Sequence, residues 1–400
     1  MASRGVRENR KGFFERLVPL GIPVAWLQLA GDRKRFFVAL LGITFAVAMM
    51  LFQMGLKNAL YKQVVGPLEL LDGQVVIVGA NYEYFGVGKG FPEVRLHQSR
   101  AIAEVESAEG IKLGCMSFKS VDDGRERDIF VIAFDPSKEV FLSDDIRGSQ
   151  EFLKRDGAVL FDSLSRSQYG DVAGRFAAEG SARTEIAGRR ATVKGLVKIG
   201  ATFAADGNVL TSLRTFSEMW PEPGGVYSVG VLKLRGGADP EDVVRRLEKI
   251  LPRDVSAMTK ERFIENEKDY WAKRTPIGFV IGASMAVAIF VGAVIVYQIL
   301  YTDVTDHLSE YATLKAIGFS DSFFVWIIVQ ESFILSVMGF VPGAGLAEVL
   351  YMLTRGVAGM QTYMSAASLA TVFGLSLSMC LAAGLLATRK LRKANPADIF

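Results

Sequence analysis

The chain has 400 residues, half of them apolar and 22% charged, with a formal net charge of +3. That mixture excludes both an ordinary soluble domain and a chain buried wholly in lipid, and implies membrane helices plus a sizeable aqueous domain. The near-neutral balance gives no case for nucleic acid. Its two cysteines, Cys115 in a polar region and Cys380 in an apolar run, offer no disulfide framework or CxxC site, and His97 and His307 stand too far apart for a zinc centre.

Residues 1–35 form a basic segment, with Arg4, Arg7, Arg10, Lys11, Arg16, Arg33, Lys34 and Arg35. A mildly amphipathic piece around Trp26 suits the headgroup layer. Residues 36–56 carry no charge, and at 1.5 Å per residue such a run spans roughly 31 Å, enough for a bilayer core. A signal peptide cut after Ala46-Val47-Ala48 is the rival reading, opposed by the long basic region and an apolar run that continues past the site.

Residues 57–275 are polar. The first helix is expected to run on through Leu56, Leu60 and Val64 and to stop at Gly66-Pro67. Strands are expected at 74–79, 111–121, 127–134, 158–161 and 226–234, with a hairpin joining 184–186 to 191–199 across Gly188-Arg189. Helices are expected at 99–106, from Asp162-Ser163, and after Asp239, where Asp at the N-cap, Pro240 at N1 and two acids form a start signal. The pattern describes an α+β domain of about 200 residues, large enough for its own core. In 258–275, Phe263 and Ile264 recur as Tyr270 and Trp271 seven residues on. This stripe belongs either to a stalk packed on the exit of the first span or to the domain's own core.

Three further apolar runs, 276–300, 323–350 and 365–387, complete four spans. Gly278 with Gly282, and Gly339 with Gly343, are small residues four apart that let helices approach closely. Glu331 is the one charge well inside a run, flanked by Gln330 and Ser332. It reads as a hinge or partner contact, or as a side chain that snorkels to the headgroups. Both ends of the chain are basic, so both are expected in the cytoplasm. That puts 57–275 and the short loop 351–364 outside, and 301–322 and the tail 388–400 inside.

The chemistry-bearing motifs are sparse. Gly86-Val87-Gly88-Lys89-Gly90 departs from a phosphate loop: Gly90 follows the lysine, and Glu83 stands where the pattern needs glycine. No catalytic residue, metal site or bound cofactor is expected, so any ATP and magnesium belong to a partner. The segment 301–322 reads as a short amphipathic helix between two spans, with Gly318 as its stop.

That segment carries a resemblance. Glu310-Tyr311-Ala312-Thr313-Leu314-Lys315-Ala316-Ile317-Gly318 resembles the E-x-A-x-L-K-A-x-G segment of the FtsX-like, MacB-type permeases. Leu40-Leu41-Gly42-Ile43 is similar to the family's first span, and Gln330-Glu331-Ser332 with Gly339 and Gly343 to its third. Val159-Leu160-Phe161-Asp162-Ser163-Leu164, and Ile186-Ala187-Gly188 followed by Thr192-Val193-Lys194-Gly195, look like pieces of its outer domain. Arg392, Pro396 and Asp398 fit its terminal R-x-x-x-P-A-D/E motif. Within the family the chain looks most like the DevC branch, whose ATPase is a separate polypeptide and which is associated with glycolipid export.

The resemblance implies an α-helical membrane protein with four transmembrane helices and a large α+β extracytoplasmic domain inserted between helices 1 and 2. It implies a homodimer in the inner membrane that binds a separate ABC ATPase through residues 310–318. It further implies mechanotransmission to a periplasmic adaptor and, through it, an outer-membrane channel, without passage of substrate between the helices. Leu314 and Ala316 are the expected contacts with the ATPase. The alternatives are a transducer that switches a cell-wall hydrolase, a permease that extracts lipoproteins, and a membrane-tethered enzyme.

Overall fold

A computed structural model of the chain describes residues 26, 31, 33–86, 88–200, 202, 205–220, 224–358 and 362–393. The chain divides into two compact units, Met1–Asn58 with Val280–Phe400, and Ala59–Phe279.

The second unit is built on a nine-stranded sheet. Its strands are β1 Val75–Gly79, β3 Val105–Lys119, β4 Glu126–Phe134, β5 Ala158–Asp162, β6 Ala182–Ile186, β7 Arg189–Val197, β8 Asn208–Ser212, β10 Val229–Leu234 and β11 Val255–Thr259, while β2 Phe91–Pro92 pairs separately with β9 Val226–Tyr227. The order is β11-β1-β10-β3-β4-β8-β5-β7-β6, and β6 also meets β3 where Ile186 faces Phe118. Two pairs, β4 with β8 and β5 with β7, run parallel, and the remaining pairs are antiparallel.

Strand β4 explains why the sequence there is almost continuously apolar. Successive side chains point to opposite faces. Ile129, Val131 and Ala133 enter one core, and Phe130, Ile132 and Phe134 enter another. A strand covered on both sides cannot alternate apolar with polar. β1 does the same, with Val76 and Val78 on one side and Val75 and Ile77 on the other.

Short helices cover the sheet: α2 Val94–Ser99, α3 Asp144–Ser149, α4 Val172–Glu179, α5 Leu213–Met219, α6 Pro240–Ile250 and α7 Lys260–Asp269. Helix α6 begins as its sequence dictates, with the Asp239 carboxylate accepting from the Glu241 N–H at 3.1 Å and Pro240 in the first turn.

Four local expectations are corrected. Residues 99–106 are not a helix: α2 ends at Ser99, and Val105 already pairs with Leu234 in β3, so strand pairing overrides local helix propensity. No helix starts at Asp162, whose carboxylate instead takes donors from distant backbone (below). The β6–β7 turn centres on Ala187-Gly188, with φ of 50° and 70°, which is the left-handed pair a two-residue hairpin needs. The first helix, α1 Arg33–Glu69, holds Pro67 within its last turn and runs past Gly66-Pro67 because Val64, Val65 and Leu68 are buried there.

Both readings of the 258–275 stripe hold in part. Phe263 lies in the core beside Tyr82, with ring centroids 5.4 Å apart. Trp271, in a π-helical turn Tyr270–Arg274, packs on Val64 and Val65 at the end of α1.

The first unit holds the larger part of α1, and α8 Pro276–Asp306, α9 Leu308–Ala316, α10 Asp321–Ala358 and α11 Ala366–Lys393. Four of these helices, α1, α8, α10 and α11, are long and apolar enough to cross a membrane. Their shared core includes Ile43, Val47, Met50, Val296, Leu300, Leu335, Val372 and Ala383. Phe37, Leu41, Phe290, Val341 and Val349 face outward, which suits lipid rather than water. Helix α10 continues past the expected end of its span to Ala358. Tyr351, expected in a loop, is instead fully buried and donates its hydroxyl to the Leu51 carbonyl.

Candidate functional site

The stretch between α8 and α10 forms a compact cap. The His307 N–H donates to the Asp303 carbonyl at 3.1 Å, and α9 starts at the next residue. At its far end Gly318 has φ of 108°, a conformation that disfavours any side chain, and the Phe319 N–H donates back to the Leu314 carbonyl at 3.1 Å. That six-to-one bond with a left-handed glycine is a Schellman end. The glycine is therefore required by geometry, and α10 restarts at Asp321.

The two faces of α9 differ. Leu308, Leu314, Phe319 and Phe323 pack inward on the core of the helical unit. Ser309, Glu310, Thr313 and Ile317 are exposed, and Ile317 shows 71% of its surface. Leu314 is thus an anchor of the helix, and Ile317, just past its end, is the more exposed of the two. Arg35 at the start of α1 pairs with Asp306 beside this cap. The side chains of Tyr311, Ala312, Lys315, Ala316 and Arg392 lie outside the described residues, as do Pro396 and Asp398 altogether.

The glycines split in a way the spacing alone does not show. A side chain at Gly339 would come within 2.4 Å of Ile43, and one at Gly343 within 2.7 Å of Val47, so both sit where α10 crosses α1. A side chain at Gly278 would meet the Ala272 backbone at 2.0 Å, while Gly282 has nothing within 4 Å in the chain. Helix α8 instead makes its close approach at Gly292, against Ala46 and Met379. Gly42, Gly55 and Gly384 are further crossing points, against Ile295, Tyr351 and Ser332. Only the pairing of each helix with its neighbours identifies these.

Glu331 does not snorkel. It is fully buried, and neither carboxylate oxygen has a hydrogen-bond partner among the described residues. Glu348, near the far end of α10, pairs with Arg355.

A second buried carboxylate lies in the sheet unit. Glu267 on α7 accepts from the Tyr82 hydroxyl and the Phe85 N–H, and is 1% exposed. Burial pushes its carboxyl up to about 7, only partly opposed by those two donors. The folded state therefore binds more protons than the unfolded one from about pH 4.5, the ordinary value, to about 7. Stability should fall as pH rises through this window, by on the order of 3 kcal/mol in all, and stay level above it. Thermal unfolding across that range checks this, and Glu267→Gln should flatten the profile.

The glycine-rich loop is no phosphate cradle. It leads into the two-residue strand β2 rather than a helix N-terminus, and Gly79 and Gly90 are needed where it passes the Lys89 and Tyr227 carbonyls. Among the described residues no group of three or more His, Cys, Asp or Glu is arranged to hold a metal ion.

Two family models match separate parts of the chain. Residues 36–250 match the family model of the MacB-like periplasmic core domain, and 282–396 match that of the FtsX-like permease C-terminal region. Among solved structures, the periplasmic region of MacB from Actinobacillus actinomycetemcomitans aligns at 10% identity over 49% of this chain and 92% of that one, with a TM-score of 0.34. The extracellular domain of the noncanonic ABC-type transporter YknZ from Gram-positive bacteria aligns at 11% identity over 46% and 98%, with a TM-score of 0.31. A domain of a putative permease from Porphyromonas gingivalis aligns at 17% identity over 47% and 86%, with a TM-score of 0.30. No curated protein matches the chain.

Proposed function

The chain belongs to the ABC-type transporter permeases that join a MacB-like periplasmic core domain to an FtsX-like permease region, and on that premise we propose that it transmits the closure of a separate ATPase to its periplasmic unit. The observation that carries the reading is α9: a helix fixed on its inner side by Leu308 and Leu314, ended rigidly at Gly318, and presenting Glu310, Thr313 and Ile317 outward. An exposed isoleucine near the exposed Glu310 and Thr313 fits a pocket on a partner protein. In this scheme both termini and α9 lie in the cytoplasm. Two copies pair in the inner membrane, and two ATPase subunits hold the ATP and magnesium. The periplasmic unit engages an adaptor and, through it, an outer-membrane channel, as expected for a tripartite exporter of the DevC kind. Glycolipid is the cargo class that branch resemblance favours.

The test compares two substitutions. Ile317→Asp should weaken ATPase binding by about ten- to a hundredfold. It should change the chain's own stability by less than about 0.5 kcal/mol, because the side chain is exposed. Leu314→Asp should destabilise the chain itself. Full ATPase binding by the Ile317 variant would overturn the docking surface. Purification of the tagged chain in mild detergent, with mass spectrometry of what accompanies it, tests the wider scheme. An ATPase with an adaptor supports the exporter. An ATPase with a wall hydrolase and no adaptor would replace it with the transducer reading.

A further inference from the structure

A line of ionisable groups runs from the exposed face of α9 into the centre of the helix bundle. Glu310 is exposed, and its Oε2 lies 3.1 Å from His307 Nδ1. The other ring nitrogen, Nε2, lies 3.9 Å from Asp303 Oδ1 on α8. Asp303 lies beside Val304, which with Leu300 shares one core with Ile328, a turn before Glu331 on α10. Glu331 ends the line: it is fully buried, and among the described residues its two oxygens and the adjacent Ser332 hydroxyl lack hydrogen-bond partners. The last helix presents Gly384 to Ser332 and Ser376 to Ser336, with the two hydroxyls of the latter pair 3.1 Å apart. Among the described side chains of α11 the buried titratable group is the Cys380 thiol, and Arg35 of α1 is held by Asp306.

An ionised carboxylate without a donor is the least tolerable group a bundle core can hold, whereas the neutral acid is tolerated. We propose that Glu331 is a proton-binding site inside the helical unit, loaded from the α9 end through Glu310, His307 and Asp303. The relay is balanced at each step. His307 gives its Nε2 proton to Asp303, through a rotation or one water across the 3.9 Å gap, as its Nδ1 takes one from Glu310 or water. Asp303 passes a proton on to a Glu331 oxygen through intervening water, and exchange of the Nδ1 and Nε2 protons with water returns His307 to its starting tautomer. A net single proton moves from solvent to Glu331. Because Glu310 and His307 stand at the α9 cap, anything bound there would alter access to the site. The relay exists whether or not α9 docks an ATPase.

The test is infrared spectroscopy of the full chain in lipid nanodiscs. The wild-type protein should show a protonated-carboxyl band that Glu331→Gln removes while the helical signal persists. Transfer into deuterated buffer should shift that band, and His307→Gln or Asp303→Asn should slow the shift by roughly tenfold or more without removing the band. A band unaffected by Glu331→Gln, or a shift equally fast in both relay variants, would overturn the proposal. So would loss of the band on adding sodium or potassium at constant pH, which would make this a cation site.

Discussion

Replacing Asp162 with alanine should cost the periplasmic unit about 3–5 kcal/mol, because it strands several buried donors at once. Asp162 is fully buried at the end of β5. Its Oδ1 accepts from the Leu164 and Ile199 N–H groups, each at 3.0 Å. Its Oδ2 accepts from the Gly200 N–H at 2.9 Å and the Asn208 amide at 2.8 Å. One carboxylate thereby fastens the turn after β5, the exit of β7 and the start of β8. Asp162→Asn keeps the size but turns one acceptor into a donor facing donors, so it should recover little. Thermal unfolding of the purified chain should show a midpoint roughly 10 °C lower for either variant. A change within a degree or two would mean that water replaces the carboxylate at no cost.

The second large effect is expected at Gly339. Ile43, which a new side chain would strike at 2.4 Å, is itself fully buried, so the two helices must separate or Ile43 must leave its rotamer. Overpacking of this kind costs typically 1–3 kcal/mol for small additions and more for large ones. Gly339→Leu should therefore prevent the chain from accumulating as a folded species in detergent, and Gly339→Ala should give a measurable loss. Ile43→Ala should offset Gly339→Ala in a double-mutant cycle, since the clash lies between those two side chains. Independent, additive losses would show that α1 and α10 do not meet there. Gly282→Ala is the control, because that position faces open space within one chain.

The sequence was legible where one residue type carries one local duty. The start of α6 at Asp239-Pro240, the left-handed Gly318, and the apolar run of β4 each follow from a rule spanning a few residues. The misreadings share a cause. Ser99–Glu106 reads as a helix until Val105 finds Leu234 more than a hundred residues away. Asp162 reads as a helix cap, and only the return of residues 199, 200 and 208 gives its carboxylate other donors. The glycine spacing at 278 and 282 is no weaker than that at 339 and 343, yet only the latter faces α1. The relay at α9 was half visible: His307 stands four residues after Asp303 and three before Glu310, offsets that share one helix face. Its inner terminus at Glu331 comes from another helix.

The sheet of the periplasmic unit is closed at one end and open at the other. Where β6 meets β3 at Ile186 and Phe118 the sheet is paired on both sides, whereas among the described residues β11 pairs with β1 alone. Shearing a strand held on one side breaks fewer backbone hydrogen bonds than shearing one held on two, so β11 is the strand expected to yield first. That strand leads directly into α7, Glu267 and the π-helical turn around Trp271. A pull arriving along this connection would be taken up as elastic strain at the soft margin, leaving the strands around β4 stiff.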